Sequence, residues 1–131
     1  MNRHFRHGLV SLAVAAALSA GAAQAQVSDN MIKIGVLSDM SSLYTDLAGA
    51  GSVVAARMAV EDSGIEKRGY KVEFVSADHQ NKPDVGSAIA RQWYDTDKVD
   101  VIVDVPNSGV ALAVNQITKD KGKAFLVSGA A

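Results

Sequence analysis

Short apolar runs alternate along the chain with longer stretches of helical periodicity. Ile32-Lys33-Ile34-Gly35-Val36-Leu37 predicts a buried strand that ends in the polar segment Ser38-Asp39-Met40-Ser41-Ser42. From about residue 47 to 62 the spacing turns helical, with Val53, Ala56 and Val60 on one stripe and Ala55 and Ala59 beside it. Gly64 and Gly69 punctuate its end. Residues 70–76 alternate apolar and polar positions, as a strand near a sheet edge does. Pro83 suits the first turn of a second helix, which runs to about residue 94 and buries Val85, Ala88, Ile89 and Trp93. Residues 99–105 form the most β-branched run and predict a central strand. Pro106-Asn107-Ser108-Gly109 breaks it, with Ser108 as N-cap of a third helix carrying Val110, Val114 and Ile117 on one face. Residues 124–128 predict a fourth strand.

The order β-α-β-α-β-α-β predicts an α/β fold: a doubly wound, mainly parallel sheet with right-handed crossovers and helices on both faces. No helical pattern follows the fourth strand, so the chain reads as the incomplete first part of a lobe.

The first 25 residues lie outside this pattern. Arg3 and Arg6 precede an apolar stretch over residues 9–20, and Ala23-Gln24-Ala25 closes it with the small-x-small signature of a signal-peptidase site. The apolar run is too short for the ~20 residues that a membrane-spanning helix needs. The expected organisation is a cleavable signal peptide over residues 1–25 and a mature, periplasmic chain over 26–131.

Composition then narrows the chemistry. Thirteen basic against fourteen acidic residues give a net charge of −1, which provides no basic field for nucleic acid. Without cysteine there is no disulfide, thiolate nucleophile or Cys-ligated zinc. Ser-Asp-Met-Ser-Ser follows the first strand where a dinucleotide fold would place G-x-G-x-x-G. Gly49-Ala50-Gly51 comes later, without a Lys-Ser/Thr partner, and reads as a helix start. His79 is the one histidine after residue 25; in a polar loop it reads as a surface residue, and Asp78 beside it as a turn former. One histidine supports neither a Ser-His-Asp arrangement nor a metal cluster, so no enzyme activity, cofactor or metal is expected. Asp39 and Asp104 imitate the acidic pocket of a phosphotransfer receiver domain, but an export signal argues against phosphotransfer from ATP.

In an open parallel sheet, ligands bind beyond the carboxyl ends of the strands, where strand order reverses. The loops there offer Ser41, Ser42, Tyr44, Asn107, Ser108 and Ser128, together with N–H groups at helix starts. Hydroxyls and helix N-termini suit a carboxylate without a buried counter-cation. Each serine read alone is equally a capping or turn residue.

The ordered set of Ile32–Ser41, Glu61-Asp62, Ala77-Asp78-His79-Gln80-Asn81, Val101-Ile102-Val103-Asp104, Pro106-Asn107-Ser108 and Ser128-Gly129-Ala130-Ala131 resembles periplasmic solute-binding proteins of the leucine/isoleucine/valine-binding type. The resemblance covers essentially all of the mature chain. It implies a two-lobe receptor that closes on one small solute, an amino acid or a small carboxylate or amide, and presents it to the permease of an ABC importer, the receptor itself being a monomer. Residues 26–131 then form a truncated N-terminal part of lobe 1. By position the resemblance assigns Asn107 and Ser108 to the ligand carboxylate and the backbone of Ala130 to the bound amino acid. It sets Leu43, Tyr44 and Leu47 against the ligand's apolar end. The chain lacks the disulfide that such members carry between the loops holding Asn81 and Pro106, and Asn107 replaces a usual serine. The alternative reading is the sensing domain of a signalling receptor with the same fold.

Overall fold

The structure, a computed structural model, describes residues 30–130. The expected signal peptide lies outside the described residues. Four strands and three helices alternate: β1 (Met31–Ser38), α1 (Gly49–Ser63), β2 (Lys71–Asp78), α2 (Pro83–Asp95), β3 (Val101–Asp104), α3 (Ser108–Lys121) and β4 (Ala124–Val127). All pairings are parallel and the strand order is β2-β1-β3-β4. Order therefore reverses between β1 and β3, where Leu37 stands opposite Asp104.

Alternation along β1 divides its side chains between two unequal layers. Gly35 and Leu37 turn toward α2 and α3, whereas Ile32 and Ile34 turn toward α1. The core sits on the α2/α3 side, where Leu37, Trp93, Val99, Ile102, Val105, Val110, Val114 and Ile117 are buried together. The Tyr94 hydroxyl enters this core because it meets Thr118 Oγ1 at 3.0 Å and donates to the Ala124 carbonyl at 3.1 Å.

The opposite face is covered by α1 alone. An apolar groove of about 560 Å³ remains between Ala55, Ala59 and Val60 of α1 and Ile34, Val103 and Leu126 of the sheet. The expectation of a sheet covered on both faces is thus met only over β1 and β2. Leu126 and Val127 stay 62% and 44% exposed.

Three local expectations change. Ala88 is exposed, and α2 instead buries Gly86, Ala90, Trp93 and Tyr94, because α2 packs on α3 as well as on the sheet. The N-cap of α3 is Asn107 rather than Ser108: its Oδ1 accepts the Val110 N–H at 2.9 Å. His79 is fully buried rather than a surface residue, because the close approach of Gly86 beside its Cβ lets α2 cover it.

Candidate functional site

The carboxyl ends of β1, β2 and β3 carry a layer of buried polar side chains: Ser38, Asp39, His79 and Asp104. Two aspartates build the loop between β1 and α1. Asp39 accepts the Ser42 N–H at 2.9 Å, the Ser42 hydroxyl at 2.6 Å and the Tyr44 N–H at 2.9 Å. Asp78, opposite Ser38 on β2, accepts the Met40 N–H at 3.0 Å and the Ser41 hydroxyl at 2.5 Å. Burial alone would raise both carboxyl pKa values. The Ser42 hydroxyl with N–H groups of Tyr44, Ser42 and Ser41 holds Asp39 below the ordinary 3.8, and the Ser41 hydroxyl with the Met40 and Gln80 N–H groups does so for Asp78.

The reversal point itself is strained. Asp104 and Val105 both lie at positive φ, 82° and 55°, although neither is glycine and valine is β-branched. Each such residue costs on the order of 1–3 kcal/mol, and such conformations persist where the surroundings over-determine them. Here the Val105 N–H donates to the Leu37 carbonyl at 3.0 Å, the valine side chain is buried, and Ser128 ties the corner to β4. The Ser128 hydroxyl donates to Asp104 Oδ1 at 2.5 Å and its N–H to the Asp104 carbonyl at 3.2 Å. The turn turns the chain out of β3 and into the N-terminus of α3.

The structure separates the sequence-derived site residues into three groups. Ser41 and Tyr44 are held in the first loop by Asp78 and Asp39, with Leu43 and Leu47 beside them 74% and 84% exposed. Asn107 has its side-chain oxygen committed to capping α3, and Ser108 opens that helix. Ser108 and Ala130 come together across a shallow depression of about 270 Å³ with Ala111, Leu112 and Phe125. Ser128 is turned to Asp104 instead. The larger groove under α1 meets this edge only through Asp104 and Ser128, and its lining is nearly all alkyl, so it suits apolar packing rather than an anion. Asp78 is the turn former expected, accepting the Gln80 N–H at 2.7 Å, but the part that Asp39, Asp78 and His79 play in organising this edge was not expected; the Asp-x-x-Ser spacing of Asp39 and Ser42 was the available signal. Among the described residues no group of three or more His, Asp or Glu is arranged to hold a metal.

A family profile described as periplasmic binding protein matches residues 31–131. The chain belongs to the periplasmic binding protein family. Solved relatives share the fold of the chain. A periplasmic binding protein from Burkholderia mallei is 42% identical with a TM-score of 0.72, over 77% of this chain and 27% of its own. A branched chain amino acid ABC transporter periplasmic ligand-binding protein from Burkholderia xenovorans is 53% identical with a TM-score of 0.72, over 76% of this chain and 27% of its own. An ABC transporter solute binding protein from R. palustris, in complex with 4-hydroxybenzoate, is 28% identical with a TM-score of 0.69, over 77% and 27%. No curated protein matches the chain. The chain thus spans about a quarter of the length of those relatives. The family is one of solute-binding proteins, not of enzymes.

Proposed function

We propose that residues 26–131 form the N-terminal part of the first lobe of an ABC-importer receptor. Its solute carries a carboxylate and is a branched-chain amino acid or a related small organic acid. The observation that carries this reading is the capped α3 N-terminus following β3 directly at the point of strand reversal, where Leu37 of β1 stands opposite Asp104. First-turn N–H groups and the Ser108 hydroxyl supply neutral donors to an anion, and the helix dipole favours negative charge there. Leu43, Tyr44 and Leu47 stand on the same sheet edge and supply apolar contact for the rest of the solute. The 53% identity to the Burkholderia xenovorans protein favours amino acids, and the hydroxybenzoate complex of a 28% identical relative favours an acid whose carboxylate is the common handle.

The receptor acts as a monomer that closes a second lobe over the solute and is recognised by a membrane permease. Closure matters energetically because each lobe supplies part of the ligand shell. With half of a micromolar binding energy of about −8 kcal/mol, one lobe alone reaches only about millimolar affinity. The test is a chimera in which residues 26–131 replace the matching segment of the Burkholderia xenovorans relative. Calorimetry with leucine, isoleucine, valine and 4-hydroxybenzoate should find a micromolar solute for the chimera and none for the 131-residue chain alone. Ser108→Ala in the chimera should weaken binding by about 1–3 kcal/mol, the cost of an unpaired buried partner. A folded chimera that takes none of the four, or binding indifferent to Ser108, overturns the carboxylate site.

A further inference from the structure

His79 is the one buried ionisable side chain at this edge that the ligand reading leaves without a task. Its backbone joins β2 to β1 and closes the next turn: its N–H donates to the Ser38 carbonyl at 2.9 Å and its carbonyl accepts the Lys82 N–H at 2.9 Å. Its ring does something more specific. Nδ1 accepts the Asn81 N–H at 3.0 Å, within a turn in which Gln80 and Asn81 both adopt positive φ, 53° and 58°. A ring nitrogen that accepts carries no proton, so the imidazole is neutral and its single proton is on Nε2.

That Nε2 is buried without a protein partner, as are Asn81 Oδ1 in the same turn, Ser38 Oγ on the adjacent β1 and Asp104 Oδ2 one strand further on. Donor and acceptors are complementary, and a buried polar group left unpaired is costly. The groups facing the ring are Asp39 after β1, Asp78 on β2 and Asp104 on β3. From the helices, Gly86 of α2 and Val110 of α3 close the site without charge.

We propose that His79 is a proton-operated latch for the candidate binding edge. In its neutral form Nδ1 holds the 79–81 turn, and the uncharged ring leaves the nearby Asp104 carboxylate, at the strained Asp104–Val105 corner, unperturbed. Protonation puts a second donor on Nδ1, facing the Asn81 N–H. The turn then opens, the ring becomes a cation among three carboxylates, and the corner that aims α3 is redrawn. Burial lowers the imidazole pKa below its ordinary 6.5, against the opposing pull of Asp39, Asp78 and Asp104, so the latch is closed at neutral pH and opens on acidification. Its bearing on solute capture rests on the carboxylate-site reading; the latch is measured without any solute, so either can fail alone.

The experiment is nitrogen-resolved NMR of the full chain between pH 7.5 and 4.5. At neutral pH, His79 should show the Nε2–H tautomer. On acidification its ring should titrate below 6.5, and the amides of Asn81, Asp104 and Val105 should shift with the same midpoint. His79→Gln keeps an amide donor near the Nε2 position but cannot titrate, so those amide steps should vanish. Asp104→Asn covers the case of a glutamine variant that does not fold: loss of the carboxylate should move the His79 midpoint lower still. A proton on Nδ1 at neutral pH, a midpoint at or above 6.5, amide steps that survive His79→Gln, or a midpoint indifferent to Asp104→Asn would each overturn the latch.

Discussion

Gly35 and the indole of Trp93 compete for the same space: a Cβ built on Gly35 would lie 2.5 Å from both Cε3 and Cζ3 of Trp93. The absent side chain is what lets α2 sit down on β1, and the ring it admits is only 5% exposed. Gly35→Ala should therefore destabilise the fold by about 1–3 kcal/mol through overpacking of a rigid ring. Gly51, early in α1, has nothing within 4 Å of an added Cβ. Gly51→Ala should instead be neutral or stabilising by up to about 1 kcal/mol. Urea unfolding of the two variants side by side checks the contrast, and equal effects would refute it.

The exchange of cap between neighbouring residues makes a second expectation. Because Asn107 Oδ1 accepts the Val110 N–H, Asn107→Ala should cost about 1 kcal/mol of stability, and Asn107→Asp should recover most of it. Thermal melts of both variants decide the matter. A melt unchanged by alanine would return the cap to Ser108.

Acid should weaken the fold in two stages. His79 resists protonation when folded and accepts a proton readily when unfolded, so stability begins to fall as pH drops through 6.5. Asp39 and Asp78 titrate below 3.8 in the folded chain, and their contribution is complete above that value and lost as pH falls beneath it. Urea midpoints from pH 7.5 to 3 should show both falls. His79→Gln should erase the first, and Asp39→Asn should shrink the second.

Export makes a fourth expectation. Arg3, Arg6, the apolar run over 9–20 and Ala23-Gln24-Ala25 predict that processed material begins at Gln26. N-terminal sequencing of periplasmic protein gives the answer directly, and an intact Met1 there would contradict it.

The element order was legible because each element carries its own period. Ile32–Leu37 reads as a strand with no knowledge of its neighbours, and Val110, Val114 and Ile117 mark the buried face of α3 from spacing alone. The edge position of β2 showed in its alternation, and the central position of β3 in its β-branched run. Three local details were not legible. Ala88 and Ala90 are chemically alike, and only the packing of α2 on α3 decides which is buried. Asn107 and Ser108 are both good caps, and the choice depends on the backbone that leaves Val105.

His79 marks the boundary most clearly. By sequence alone it is a histidine among polar neighbours, and short-range pattern assigns it to the surface. In the fold, parallel pairing brings the ends of β1, β2 and β3 side by side, while Gly86 allows α2 to close over the ring. The sequence by itself determined the strands and the helices, because hydrophobic periodicity is a local property. Only the tertiary structure decided which polar side chains at that edge lose water and must find one another, because burial is set by residues distant along the chain.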